Sequence, residues 1–416
     1  MMRLPVSYCH ETDHPGLEGR LLSQQGHSNR LWYAGALVFL PIASCTGPAV
    51  HTAPSSSAAV TAATSMAAVS LQGAALPIEV RFFDHGAGVE RKHFVRFGQC
   101  QFRLAPSRDT TRRDRLFGPV DPGRLRQRLD DCLETARRES LNILILPELS
   151  LTLPSSMRED WLRHARERAN ADSLIIIAGS YYDPDSYSRL VVIGPGWVER
   201  GYKLRPSRFE VSPRAGEGMR PGQYLTVVRT PFGTLAVLTC VDLISDDVQY
   251  AIRRLATRGE IDAVININHN PAALEFLVEA NSIARRHPVF VSITNVASDT
   301  PDPKCSDGYD ESHGYCYGNT AIFASLRTRA SDEPNSVFRL HDLLPSYLLD
   351  DFGNRRVERR LAYDNVVGAL TAHPEQMLVY ELNMWLTREP LATNAPDQGY
   401  PTVRALRIVD LPDLPR

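Results

Sequence analysis

Three short stretches of this sequence carry side chains equipped to attack an unreactive bond: Ile145-Leu146-Pro147-Glu148-Leu149-Ser150, Tyr202-Lys203-Leu204 and Leu238-Thr239-Cys240-Val241-Asp242. In that order they supply a carboxylate, an ammonium and a thiol. Brought together, the first removes protons, the second holds developing negative charge and the third attacks, which is the equipment for opening an amide. Taken singly, each has an ordinary structural use. A Cys after an apolar strand is commonly core, a Pro-Glu pair after a strand is commonly a turn, and a Lys after a hairpin is commonly solvated.

Whether the three meet depends on the elements before them. The run Phe94 to Leu104 alternates apolar and polar positions, as a half-buried strand does. Asp121-Pro122 opens a helix whose Leu125, Leu129, Cys132, Leu133 and Ala136 share one face. The helix leads to the apolar strand Ile143 to Leu146, which Pro147 stops, so Glu148 stands at a strand's carboxyl end. A helix near Ser156 to Arg168, a strand at Leu174 to Ala178 and a strand at Leu190 to Ile193 follow. Gly194-Pro195-Gly196 then turns the chain into Trp197 to Tyr202, delivering Lys203 at the end of a hairpin. A second hairpin, Leu225 to Arg229 with Leu235 to Thr239, delivers Cys240. Ser245 with Asp246 and Asp247 reads as the cap and acidic first turn of the next helix, so the thiol lies at a strand-to-helix turn, close to backbone N–H groups. Strand Ala263 to Asn268, helix Ala272 to Arg286 and strand Val289 to Thr294 complete the alternation. The pattern is that of an α/β layered domain with its site residues at strand ends.

With these pieces in order, the chain resembles a carbon-nitrogen hydrolase of the nitrilase superfamily, in an amidase-like, divergent branch. The resemblance is carried by PELS at Glu148, GYKL at Lys203, EGMRPG from Glu217 to Gly222, TPFGTLAVLTCVD from Thr230 to Asp242, NPAA from Asn270 to Ala273 and ITNVAS from Ile293 to Ser298, and it spans roughly Phe94 to Leu382. It implies a four-layer α-β-β-α sandwich, pairing into homodimers and larger homo-oligomers, and a small-molecule amide-type substrate. Carried over by position, Cys240 is the nucleophile, Glu148 the general base and Lys203 the oxyanion stabiliser. Glu217 matches the family's second glutamate, with Glu210 the weaker candidate.

Physical chemistry is consistent with those roles. A free cysteine has a pKa of about 8.5 and a neighbouring ammonium lowers it, so Lys203 is expected to raise the thiolate fraction. Glu148 takes the thiol proton and returns it to the leaving amine, and the Val241 N–H is the natural second oxyanion donor. The product is a thioester, which water hydrolyses, and no metal or organic cofactor is called for. His269 and Asn270, after the next strand end, are placed in the substrate pocket. Val241-Asp242 stands where true nitrilases carry Trp-Glu, which favours amide or carbamoyl hydrolysis over nitriles. Two competing readings use the same residues: acyl transfer from the thioester, and a catalytically silent nitrilase-fold binding protein. Arg205, Arg208, Arg214 and Arg220 read either as a solvated loop or as a fork for a substrate carboxylate.

The remaining composition sets bounds. The 416 residues hold 46 Lys plus Arg against 48 Asp plus Glu, a net charge of -2 that argues for no nucleic-acid partner, and 43% hydrophobic residues, enough for a sizeable core. Seven cysteines without paired spacing fit a reduced, cytoplasmic chain. Cys305, His313 and Cys316 fall in a polar stretch, Asp299 to Asn319, that reads as an exposed loop and not as a metal site, whose ligands would be tighter and more numerous. Residues 1–77 read as an N-terminal extension, 78–389 as the hydrolase domain and 390–416 as a proline-rich tail. In the extension, Leu31 to Ala43 is too short for a transmembrane segment and ends at Ile42-Ala43-Ser44-Cys45, which resembles a lipoprotein processing site. A working signal there would place a lipid anchor on Cys45 and the chain at the cell envelope. The alternatives are a disordered extension or a start at Met66. The charged run Asp350 to Arg360 reads as an exposed helix or loop.

Overall fold

The computed structural model describes residues 78–86, 94–104, 106–109, 116–212, 217–271, 273–297, 317–324, 366–370, 374–384 and 403–413. The extension with Cys45 and Met66, the loop with Cys305, His313 and Cys316, and the run from Asp350 to Arg360 lie outside the described residues.

Strands β1 (Glu79–Asp84) and β2 (Phe94–Gln101) precede a two-stranded ribbon of β3 (Pro106–Arg108) and β4 (Phe117–Pro119). Helix α1 (Pro122–Arg138) starts as its sequence dictates, with the Asp121 carboxylate accepting the Arg124 N–H at 2.9 Å and proline in the first turn. Then come β5 (Ile143–Ile145), α2 (Ser155–Asp172), β6 (Ile175–Tyr182), and the hairpins β7 (Ser188–Gly194) with β8 (Trp197–Tyr202) and β9 (Tyr224–Thr230) with β10 (Gly233–Thr239). A single 3₁₀ turn, Cys240–Ile244, leads into α3 (Asp246–Thr257), β11 (Ala263–Ile267), α4 (Ala273–Arg286) and β12 (Phe290–Thr294). Short strands β13 (Ala321–Phe323) and β14 (Val366–Ala369) and the longer β15 (Gln376–Asn383) and β16 (Val403–Asp410) finish the chain.

The strands form two seven-stranded sheets, ordered β1-β9-β10-β11-β12-β13-β14 and β16-β15-β2-β5-β6-β7-β8. Their side-chain alternation explains the layering. Ile143 and Ile145 of β5 join Leu235, Val237, Ala263 and Ile265 of the other sheet in one apolar cluster, so these faces are packed against each other. Leu144 points the opposite way, into a cluster with Leu129, Leu133 and Trp161 of α1 and α2. On the second sheet, Ala236, Leu238 and Val264 pack against Ile252, Leu255, Phe276 and Ala280 of α3 and α4. The outcome is the expected four layers, α-β-β-α. Strands buried on both faces read as continuous apolar runs, which is why Ile143 to Leu146 and Leu235 to Leu238 are unbroken runs of Ile, Leu, Val and Ala.

Each sheet has a parallel centre, β2-β5-β6 in one and β10-β11-β12 in the other. The carboxyl ends of parallel strands are where such sheets build sites. Two edge strands lie beyond the sequence pattern. β1 pairs parallel with β9, and β16 pairs antiparallel with β15, so the segment expected as a separate tail extends the sheet past residue 389. Arg128, buried on α1, pairs with Glu375 and Asp131 and donates to the Pro412 carbonyl, fastening that edge to the helix layer. Among the described residues no helix is long and apolar enough to cross a membrane, and no group of three or more His, Cys, Asp or Glu is arranged to hold a metal ion.

Candidate active site

Lys203 leaves the end of β8 with its N–H on the Ser188 carbonyl at 2.9 Å and sends its side chain inward, where only 2% of the residue is exposed. Its Nζ donates to Glu148 Oε1 at 2.8 Å and to Glu210 Oε2 at 2.7 Å, both carboxylates themselves buried. Burial works against the ammonium's charge, yet the two carboxylates outweigh it and hold Lys203 well above the usual lysine range. Burial raises Glu148 above the ordinary carboxylate range, Lys203 pulling it down and Glu210 pushing it up. Glu210 is held below that range, since burial is overcome by Lys203, the Tyr182 hydroxyl and the Ser207 N–H. Tyr182 donates to Glu210 Oε1 at 2.5 Å and the Ser207 N–H to Oε2 at 2.8 Å.

Cys240 follows β10 with a φ of 50°, a left-handed conformation unusual for a residue with a side chain, and is 4% exposed. Glu148, Lys203 and Glu210 all act on its thiol electrostatically. The net direction is opposite to the sequence expectation. Burial and the two carboxylates push the thiol well above its ordinary value, and Lys203 with the Val241 N–H only partly opposes them. The ammonium's charge is already spent on two carboxylates, so the resting sulfur is a thiol. Ser245 also departs from expectation: its hydroxyl does not cap α3 but donates to the Val241 carbonyl at 2.7 Å, fixing the peptide beside the sulfur. Asp242, fully buried in the same turn, accepts the N–H groups of Leu204, Arg205 and Thr239. Burial pushes it up to about 7 against those N–H groups and Lys203.

His269 and Asn270 follow β11. The backbone N–H of His269 donates to Glu148 Oε2 at 2.9 Å, completing that carboxylate's two partners. Its ring is turned elsewhere, with Nε2 3.3 Å from the Leu104 carbonyl and the ring edge-on to Tyr317. Burial lowers the imidazole to about 4, so it is neutral at physiological pH. Asn270 is clamped through its backbone: its N–H donates to Asn295 Oδ1 at 3.0 Å and its carbonyl accepts from Asn295 Nδ2 at 2.9 Å. Asn295 also donates Nδ2 to the Gly318 carbonyl and its own N–H to Thr320 Oγ1.

The second carboxylate on Lys203 is therefore Glu210, while Glu217 accepts from Ser212 Oγ at 2.9 Å. The motif that drew attention to Glu217 has a different use here. Gly218, at φ +86°, lies so close to the Glu210 carbonyl that a Cβ would meet its oxygen at 2.6 Å, and a Cβ on Gly222 would meet the Lys203 carbonyl oxygen at 2.5 Å. Gly218 and Gly222 thus present bare backbone against which both site residues are seated. Gly218→Ala is expected to cost roughly 1–3 kcal/mol of stability by forcing a side chain into that conformation. Thermal denaturation beside the parent measures it, and an unchanged midpoint would remove the seating role.

Of the four arginines, Arg205 is paired with Asp247, Arg208 is exposed and lies over the Phe209 ring, and Arg220 lies over the Tyr187 ring, while Arg214 is outside the described residues. Tyr182 joins the cluster through Glu210 and Asn295 flanks it through Asn270, neither marked by type or spacing, while Asp242, in the sequence part of a substrate signal, is here a backbone anchor. Tyr182 and Asn295 do share the one available signal, a polar residue at the end of an apolar strand.

No protein-family model matches the chain, and no curated protein matches it in sequence. Among solved structures it is similar to Saccharomyces cerevisiae Nit3, a member of branch 10 of the nitrilase superfamily, at 14% identity and a TM-score of 0.47 over 74% of this chain and 97% of that one. An amidase from Nesterenkonia sp. aligns at 14% identity and a TM-score of 0.46, again over 74% of this chain and 97% of its own. The C. elegans NitFhit protein aligns at 12% identity and 0.47 over 71% of this chain and 62% of that one. In fold, the chain is similar to members of the nitrilase superfamily.

Proposed function

We propose that this protein is a cysteine-dependent hydrolase of a small, non-peptide carbon-nitrogen bond, an amide or carbamoyl group, within the nitrilase superfamily. The observation that carries the reading is Lys203 Nζ held between Glu148 and Glu210 at 2.8 and 2.7 Å, with the charges of all three acting on the Cys240 thiol. An ammonium bridging two buried carboxylates is fixed in place, and a fixed charge costs no reorganisation when an oxyanion forms beside it.

In the reaction, Glu148 takes the Cys240 proton as the sulfur attacks the carbonyl carbon. The oxygen becomes negative against Lys203 Nζ and the Val241 N–H. Collapse of the tetrahedral species breaks the C–N bond as Glu148 passes its proton to the departing nitrogen, because an amide nitrogen does not leave as an anion. Water then attacks the thioester, Glu148 taking its proton. The C–S bond breaks and the proton returns to the sulfur. Raising Glu148 by burial suits a group that alternates between base and acid.

The test is ammonia release from a panel of amides, carbamoyl amines and nitriles, with intact mass recorded in parallel. Turnover of one amide class by the parent and none by Cys240→Ala is the expected result. Equal ammonia release by the two proteins overturns the assignment. Between the glutamates, Glu210→Gln is expected to lower kcat by about 10²-fold and Glu217→Gln by less than about threefold, since only the first touches the ammonium that meets the oxyanion. Steady-state kinetics on the same substrate decide between them.

A further inference from the structure

The candidate residues are divided between the two sheets: Glu148 and Lys203 follow β5 and β8 of one, Cys240 and His269 follow β10 and β11 of the other. Among the described residues no strand of one sheet pairs with a strand of the other; besides their packed faces and the isolated bridge between Arg103 and Ala297, polar contacts beside the site tie these strand ends together. Two carboxylates cross the gap. Glu148 reaches the His269 N–H, and Asp242, two residues after the thiol, accepts from Leu204 at 3.0 Å and from Arg205 at 2.8 Å, the two N–H groups directly after Lys203. The same Asp242 carboxylate accepts the Thr239 N–H at 3.3 Å, directly before the thiol. One buried group thus grips the backbone on both sides of Cys240's turn and the backbone leaving Lys203.

Resting on the hydrolase reading above, we infer that Asp242 is a positioning residue that fastens the Lys203 loop of one sheet to the Cys240 turn of the other and so sets the sulfur-to-ammonium geometry. It touches no reacting atom. Oδ1 accepts from Leu204 and Arg205 and Oδ2 from Leu204 and Thr239, so removing the carboxyl leaves all three N–H groups without their acceptor. Burial makes that loss costly, since an N–H group left there has no water to turn to.

The experiment compares the parent with Asp242→Ala and Asp242→Glu by residue-resolved amide hydrogen exchange and by steady-state kinetics. In the Ala variant the Leu204 and Arg205 amides are expected to exchange at least about tenfold faster, with the amides of α1 and β6 unchanged. Its kcat is expected to fall about 100-fold with KM within threefold, the signature of a misplaced catalytic group and not of weakened binding. The Glu variant, which keeps a carboxylate on the turn, is expected to recover part of both. Parental exchange at Leu204 and Arg205 in the Ala variant overturns the inference, as does a kcat within threefold of the parent. Should the Ala variant not fold, the Glu variant decides: protected amides uphold the fastening, and fast exchange in a folded Glu variant ends it. Absence of turnover by the parent itself would count against the hydrolase reading alone, since the exchange measurement reads the fastening without any substrate.

Discussion

A Glu148→Gln variant is expected to lose about 10²–10⁴-fold in amide turnover, the range for removing a general acid–base. The expectation follows from the state of the sulfur. Burial and two neighbouring carboxylates keep Cys240 protonated at rest, so the nucleophile exists only when a base takes its proton during attack, and Glu148 is proposed as that base. The glutamine still fills the buried space, and its oxygen serves either Lys203 or the His269 N–H, but not both. Substrates with good leaving groups separate the two halves of the cycle. An activated aryl ester needs no proton on its departing oxygen, so the variant is expected to release about one equivalent per chain and then stall as a Cys240 thioester, because the water step still lacks its base. Acylation of the variant is expected to accelerate as pH rises and the thiolate forms unaided, while the parent shows no such dependence over the same range. Stopped-flow release of the aryl group and intact mass measure both. Parental amide turnover by Glu148→Gln would remove this residue from the chemistry.

How far the sequence reveals this arrangement depends on what fixes each residue. Glu148, Lys203 and Cys240 each follow an apolar run or a hairpin, and the carboxyl ends of such strands converge in layered α/β folds, so type and position together are informative. Glu210 offers no such pattern. It lies in an irregular loop whose course is set by Met219 donating to the Glu210 carbonyl and by Gly218 passing close behind it, contacts between residues that sequence order does not pair. The more recognisable glutamate, Glu217, belongs to the segment that supports the loop. The thiol's protonation state is hidden for a similar reason: a nearby lysine lowers a cysteine only if its charge is uncommitted, and commitment to two carboxylates is visible only in three dimensions. Strand β1 is an edge strand with no fully buried residue, so its apolar signal is diluted, whereas β5 and β11 are buried along their whole length.

Lys203→Met carries the largest expected effect on stability, and its pH dependence has a sign that tests the charge arrangement directly. The substitution keeps the apolar volume and removes the cation between two buried carboxylates. Breaking a buried ionic cluster by deleting one partner costs about 3–5 kcal/mol, because charge is left without compensation. For a domain of this size that corresponds to a drop in melting temperature on the order of 10 °C at neutral pH. In the parent, Glu210 is held below the ordinary carboxylate range, so its contribution is present above that range and is lost as pH falls through its lowered value. Lys203, held above its ordinary range, contributes below that range, and its contribution is lost only as pH rises through its raised value. Without Lys203, burial and mutual repulsion raise both carboxyls, and a raised carboxyl gains stability as pH falls through its folded-state value. Acidification from neutrality toward the ordinary carboxylate range is therefore expected to stabilise the variant relative to the parent and to close the gap in melting temperature. A gap that stays constant with pH would mean that Glu148 and Glu210 do not depend on the ammonium for their charge. Amide turnover by the variant is expected to fall at every pH, since proton uptake by the carboxyls restores packing but supplies no cation for the oxyanion.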